Sequence, residues 1–130
     1  MSLGTSLSLS KDPATDVDTN LSVYDRRGGE NLSTCTYSVA GMTPPAEFLM
    51  TISHETGKKN GEARHLVRFD RTEVDAYGVP ATVSTYVVQV RPPSTALTNA
   101  ICIEEVNKLV DFVIEGGTNA NWTKVLNDEV

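Results

Sequence analysis

The stretch ARHLVRFDRTEV, Ala63 to Val74, holds the side chains best suited to chemistry in this chain. Read as a strand, it sends Val67 and Phe69 to one side and Arg64, Leu66, Arg68 and Asp70 to the other, because successive side chains alternate faces. An arginine presents a planar fork of donors that makes charge-assisted contacts to phosphate. Hydroxyls and amides nearby could reach base edges or riboses. His54 and His65 fall on what read as neighbouring strands, the placement a metal site needs, but two histidines alone do not complete a zinc shell. No C-x-x-C or H-x-x-x-H spacing occurs. No metal and no cofactor is therefore expected. Glu104 and Glu105 are adjacent carboxylates, yet they fall on the polar stripe of a helix and read as solvated. There is no glycine-rich phosphate loop and no G-x-S-x-G elbow. The expectation is that the protein is not an enzyme.

The elements that position these side chains follow from length and pattern. A chain of 130 residues suffices for one domain with its own core. The formal net charge of -6 is unevenly spread. Residues 1–42 carry three basic and five acidic side chains, 43–91 six of each, and 92–130 two basic and six acidic. That sign argues against a nonspecific polycation and leaves room for a locally basic face. No apolar run of about 18 residues exists, so no membrane-spanning helix is expected. The N-terminus lacks the basic and apolar regions of a secretory signal, and Cys35 and Cys102 are expected to be reduced.

The first two thirds read as strands. SLSLS (6–10) and LSVYDRR (21–27) alternate and form an N-terminal hairpin around the polar loop KDPATDVDTN. STCTYSV (33–39), FLMTISHE (48–55), the arginine strand and TVSTYVVQVR (82–91) follow. Pro44-Pro45, the turn TGKKNG, the loop DAYGVPA and Pro92-Pro93 punctuate them. The last third changes to a helical period. Thr98 or Asn99 can cap a helix running to about Glu115, stopped by Gly116-Gly117, and a short helix spans about 119–127. Strands followed by helices imply an α+β fold, an antiparallel sheet with helices on one face. The organisation expected is a single domain, 1–130: hairpin (1–30), sheet of about five long strands (31–93) and two helices (94–130).

The first helix is apolar over more than half its circumference, through Ile101, Cys102, Ile103, Val106, Leu109, Val110, Phe112, Val113 and Ile114. A helix on one sheet needs a stripe only somewhat wider than about 100°. Either the hairpin and the short helix with Trp122 cover the excess, or a second chain does. If helices cover the Phe48/Val67/Val88 face, the opposite face holds Leu49, Thr51, Ser53, Arg64, Leu66, Arg68, Asp70, Thr85, Val87, Gln89 and Arg91, extended by Lys58 and Lys59. That face is either a solvated sheet surface or a binding platform. A one-residue slip of the last strand would bring Tyr86 onto it but turn Val88 and Val90 outward, so the first register is preferred.

RHLVRFDRTEV, STYVVQVRPP and TNAICIEEVNKLVDFVIEGG, in this order and setting, resemble the coat protein of single-stranded RNA bacteriophages, the levivirus type. The resemblance covers nearly the whole chain as architecture. It implies a homodimer whose two helices cross the partner's sheet, with Ile101, Val106, Leu109, Val110, Val113 and Trp122 at the interface. It implies assembly into an icosahedral virion shell in the bacterial cytoplasm, with no membrane partner. The inner sheet face would bind genomic single-stranded RNA, including a hairpin whose binding represses replicase translation. The family's RNA-contacting positions fall on Leu49, Thr51, Leu66, Arg68, Thr85 and Val87. Around them, Ser53, Arg64, Gln89, Arg91, Lys58 and Lys59 would complete the surface. Ala76, Tyr77, Gly78, Val79 and Pro80 match the loop that meets its copies around the symmetry axes. The alternative is a dimeric RNA-binding regulator that does not assemble. A small-molecule-binding or enzymatic α+β domain would require a concave pocket with converging polar groups.

Overall fold

The structure, a computed structural model, describes residues 6–12, 17–29, 32–42, 44–57 and 61–128. Six strands form one antiparallel sheet in chain order: β1 (Ser6–Asp12), β2 (Val17–Gly28), β3 (Leu32–Ser38), β4 (Glu47–Glu55), β5 (Ala63–Val74) and β6 (Pro80–Arg91). Helix α1 (Asn99–Ile114), a π-helical turn (Glu115–Asn119) and helix α2 (Ala120–Leu126) complete the chain. The α+β class and the strand-then-helix order are as the sequence implies. The N-terminal hairpin is not a separate piece, because β2 is hydrogen-bonded to β3 and extends the sheet. Its strands also run further into the polar segment than alternation alone suggested, to Asp12 and from Val17. The chain divides into two compact units, one built on the sheet and ending at Pro93, the other holding the helices from Ser94 on together with Lys11, Asp12 and Val17.

The core of the sheet unit is Leu21, Tyr37, Met50 and Ile52, each no more than 7% exposed. Leu7, Leu9, Val23, Cys35, Val39, Phe48, Val67 and Phe69 pack around them. Leu7 and Leu9 come from β1, so the hairpin supplies apolar cover for this face. Burying an aliphatic or aromatic side chain of this size contributes about 1.5–3 kcal/mol. Phe48 and Phe69 add a tilted ring pair with centroids 6.0 Å apart.

Alternation is broken once, in β2. Val23 lies opposite Tyr37 and Asp25 opposite Thr36, so Tyr24 is the extra residue of a bulge. The bulge shifts the facing of everything after it. Arg26, opposite Cys35, joins the core face, whereas Asp25 and Arg27 go to the other face and pair at 2.7 Å.

The β5–β6 connection is short and tightly bonded. Val74 pairs with Pro80, leaving Asp75 to Val79 as the turn. Oδ1 of Asp75 accepts from the amides of Tyr77 (2.8 Å) and Val79 (2.9 Å), and Gly78 takes the left-handed conformation at φ +80°. Asp75→Ala removes both hydrogen bonds and is expected to cost about 1 kcal/mol. A thermal melt of the variant checks this, and an unchanged midpoint would show that the turn holds without them.

In the helical unit, Thr98 is the N-cap, its side chain accepting from the Ile101 amide at 3.4 Å. Lys108 bridges Glu104 (3.2 Å) and Glu105 (2.7 Å), so the adjacent carboxylates are committed to ion pairs on the polar stripe. Past α1, the Asn121 side chain donates to the Phe112 carbonyl at 3.1 Å, satisfying a group that a helix end leaves open.

Candidate nucleic-acid interface

The ladder decides which side chains share the face opposite the core. Across β4 and β5, Leu49 faces Asp70, Thr51 faces Arg68, Ser53 faces Leu66 and Glu55 faces Arg64. Thr34, Thr36 and Ser38 of β3 extend the same face through Ser53, Thr51 and Leu49. Six of the expected contact positions, Leu49, Thr51, Ser53, Arg64, Leu66 and Arg68, therefore lie together.

The last strand is turned over relative to the sequence expectation. Arg68 lies opposite Tyr86, Leu66 opposite Val88, Arg64 opposite Val90 and Asp70 opposite Ser84. Thr85, Val87, Gln89 and Arg91 sit instead on the core face, opposite Phe69, Val67, His65 and Ala63. The expectation that these four share a face with Arg68 is overturned. Apolar patterning could not orient β6, because valines occupy both of its faces. The five-residue turn orients it by fixing which residue meets Arg68, and a one-residue change in pairing flips every side chain. The residue missed is Tyr86, which is 64% exposed beside Arg68. Its signal in the sequence is the slipped register, which turns Val88 and Val90 outward, and these are 37% and 51% exposed. Lys58 and Lys59 lie outside the described residues.

Charge on this face is balanced rather than basic. Arg68 donates through Nε to Asp70 at 2.9 Å and through a terminal nitrogen to Ser84 Oγ at 3.4 Å. Ser84 in turn donates to Asp70 at 2.5 Å. These bonds hold the guanidinium beside the Tyr86 position. Arg64 is opposite Glu55, and Arg27 is paired with Asp25. The face therefore offers an anchored cation, an aromatic ring and a row of hydroxyls. Arginine and aromatic planes stack on unpaired bases, and hydroxyls reach sugar and base edges. Val88 and Val90 line a small open notch with Glu55, Glu62 and Arg64.

On the core face, His54 and His65 are directly opposed. Burial, then the charges of His54 and Arg91, hold His65 below its usual value of 6.5. Below about pH 6.5 the unfolded chain binds more protons at this site than the folded one, so stability falls as pH drops through that window. Thermal midpoints measured from pH 7.5 to 5.5 should decline more steeply for the parent than for His65→Gln. Equal declines would remove His65 as the source.

The interface positions expected on the helices are open in the single chain. No residue of α1 or α2 is buried, and Ile101, Leu109, Val110 and Trp122 are about two-fifths exposed. Val106 and Val113 are half-buried. In the β5–β6 turn, Ala76 to Pro80 are all exposed, with Tyr77 at the tip. No helix among the described residues is long and apolar enough to cross a membrane. Cys35 and Cys102 form no disulfide in the single chain.

A six-stranded antiparallel sheet followed by two C-terminal helices places the chain in the coat-protein-like α+β fold. Among solved structures, it is similar to the virus-like particle of bacteriophage AVE019, with a TM-score of 0.63 over 96% of this chain and 94% of that one. The two are 13% identical in sequence, so the likeness is one of fold. No protein-family model and no curated protein matches the sequence.

Proposed function

We propose that this protein is the capsid subunit of a levivirus-type RNA phage, a homodimer that assembles into an icosahedral shell around single-stranded RNA. The observation that carries the reading is end-to-end sharing of fold with a protein of a phage virus-like particle. Two further features support it. Strand β6 has no ladder partner beyond β5 among the described residues, and Val83, Tyr86, Val88 and Val90 along it are exposed. Such an edge invites pairing with another chain. Helices with Ile103, Leu109, Val110 and Phe112 exposed need apolar cover that a second copy would provide. The interface then comprises Ile101, Val106, Leu109, Val110, Val113 and Trp122, with the turn Ala76–Pro80 meeting its copies at the symmetry axes.

RNA is expected against the face of Thr51, Arg68 and Tyr86, with Leu49, Ser53, Arg64 and Leu66 around them. Hairpin binding there would repress replicase translation. No catalytic role is proposed for any residue.

Expression in bacteria, followed by size-exclusion chromatography, electron microscopy and absorbance at 260 and 280 nm, tests the reading. Uniform particles rich in nucleic acid are the expected product. A stable RNA-binding dimer that never assembles would make the chain a regulator, and a stable monomer would overturn both. Leu109→Glu puts a charge among the apolar side chains of α1. It is expected to abolish particles while leaving a chain with native circular dichroism. Normal particles from this variant would take Leu109 out of the interface.

A further inference from the structure

His54 and His65 face each other across the β4–β5 ladder, with their Nδ1 atoms 2.9 Å apart, ring centroids 5.1 Å apart and planes at 68°. One nitrogen donates to the other, so the pair shares a proton. Strand register and hydrogen bonding thus hold two imidazole nitrogens at a separation a single ion could span. Two nitrogens at about 2.0–2.1 Å from one ion, with a right angle between them, lie about 2.9 Å apart. A tetrahedral angle would place them about 3.3 Å apart. The hydrogen bond sets the observed separation, and a square-planar or tetragonal ion would need the two nitrogens to move apart less than a tetrahedral one.

We propose that His54 and His65 form a chelating site for one divalent transition ion of tetragonal preference, Cu2+ or Ni2+, taken up when the shared proton moves from Nδ1 to Nε2 of the donor ring, so that both neutral rings present Nδ1 to the ion. The other positions fall to water, since no group of three or more candidate ligands exists among the described residues. The neighbours on this face define what the site lacks. Ser33 is opposite His54, and Gln89 is opposite His65. Cys35, one pair along β3, is engaged with Arg26 and Tyr37. Arg91, opposite Ala63, places a positive charge on the same face that would oppose a bound cation.

The site is built from one chain and lies on the face opposite Arg68, so its test is separate from that of the capsid reading. Untagged protein, in whatever assembly it purifies, is titrated calorimetrically with Ni2+ at pH 7.5 and again at pH 5.5. The expected result is one ion per chain, binding weakened at the lower pH, and a loss of about tenfold or more in affinity for either His54→Gln or His65→Gln. Both positions are partly exposed, so both variants should keep the parent's elution volume and melting profile. A parent that takes up no Ni2+, or folded variants that bind it as tightly as the parent, would overturn the proposal. Cu2+ should bind more tightly than Zn2+, in the usual order of these ions. The reverse order would contradict the right-angle geometry.

Discussion

Replacing Tyr37 with alanine is expected to lower the stability of the sheet unit by about 3–5 kcal/mol, the range for emptying a buried aromatic site. Tyr37 is completely buried, between Val23 on β2 and Met50 on β4. Its ring touches the hairpin and the central strands together, so the cavity left would open where two parts of the sheet are joined. Its hydroxyl adds a polar element, hydrogen-bonding with the side chains of Cys35 and Arg26, and burial raises its proton affinity. Tyr37→Phe isolates that element and is expected to cost only about 1 kcal/mol. Urea unfolding followed by circular dichroism reads both variants. If Tyr37→Ala cost no more than Tyr37→Phe, the ring would not be the keystone its burial implies.

Replacing Tyr86 with alanine is expected to weaken binding of single-stranded RNA by about 1–3 kcal/mol, the value of one base stacked on an aromatic ring. That is roughly a 5- to 150-fold loss at about 1.4 kcal/mol per tenfold. Arg68→Ala should also weaken binding and reduce the salt slope by about 0.7 if the guanidinium contacts one phosphate. Part of its effect comes from Asp70, which loses its partner and turns a neutral pair into a negative charge facing RNA. The control is Val87→Ala, next in sequence to Tyr86 but on the opposite face. Filter binding across a salt series measures all three. Loss of affinity in Val87→Ala with none in Tyr86→Ala would place RNA on the other face of β6.

Much of the architecture was legible from local chemistry. Alternation in β4 and β5 named Phe48, Met50, Ile52, Val67 and Phe69 as the packed face and Arg64, Leu66 and Arg68 as its opposite. Thr98 was readable as a helix cap, and the five-residue connection as a turn, because hydroxyls, glycine and proline act within a few residues of themselves. The excess of apolar surface on α1 was equally plain, since a helical wheel needs no partner to be drawn.

What the tertiary structure alone decided is pairing. Which face Tyr86 takes depends on its opposite number, Arg68, eighteen positions earlier, and valines at Val83, Val87, Val88 and Val90 leave β6 satisfied either way up. The bulge at Tyr24 inverts the end of β2 without a compositional mark, because it is a property of two strands together. Composition counted arginines in the central segment, but only the folded sheet sets Arg68 beside Asp70 and Arg64 opposite Glu55, turning a basic strand into a balanced face. The two histidines stand eleven positions apart in the chain and 2.9 Å apart in space. A side chain's alternation is local to its strand, whereas the neighbour it meets is set by turn length and register, and those exist only once the strands have come together.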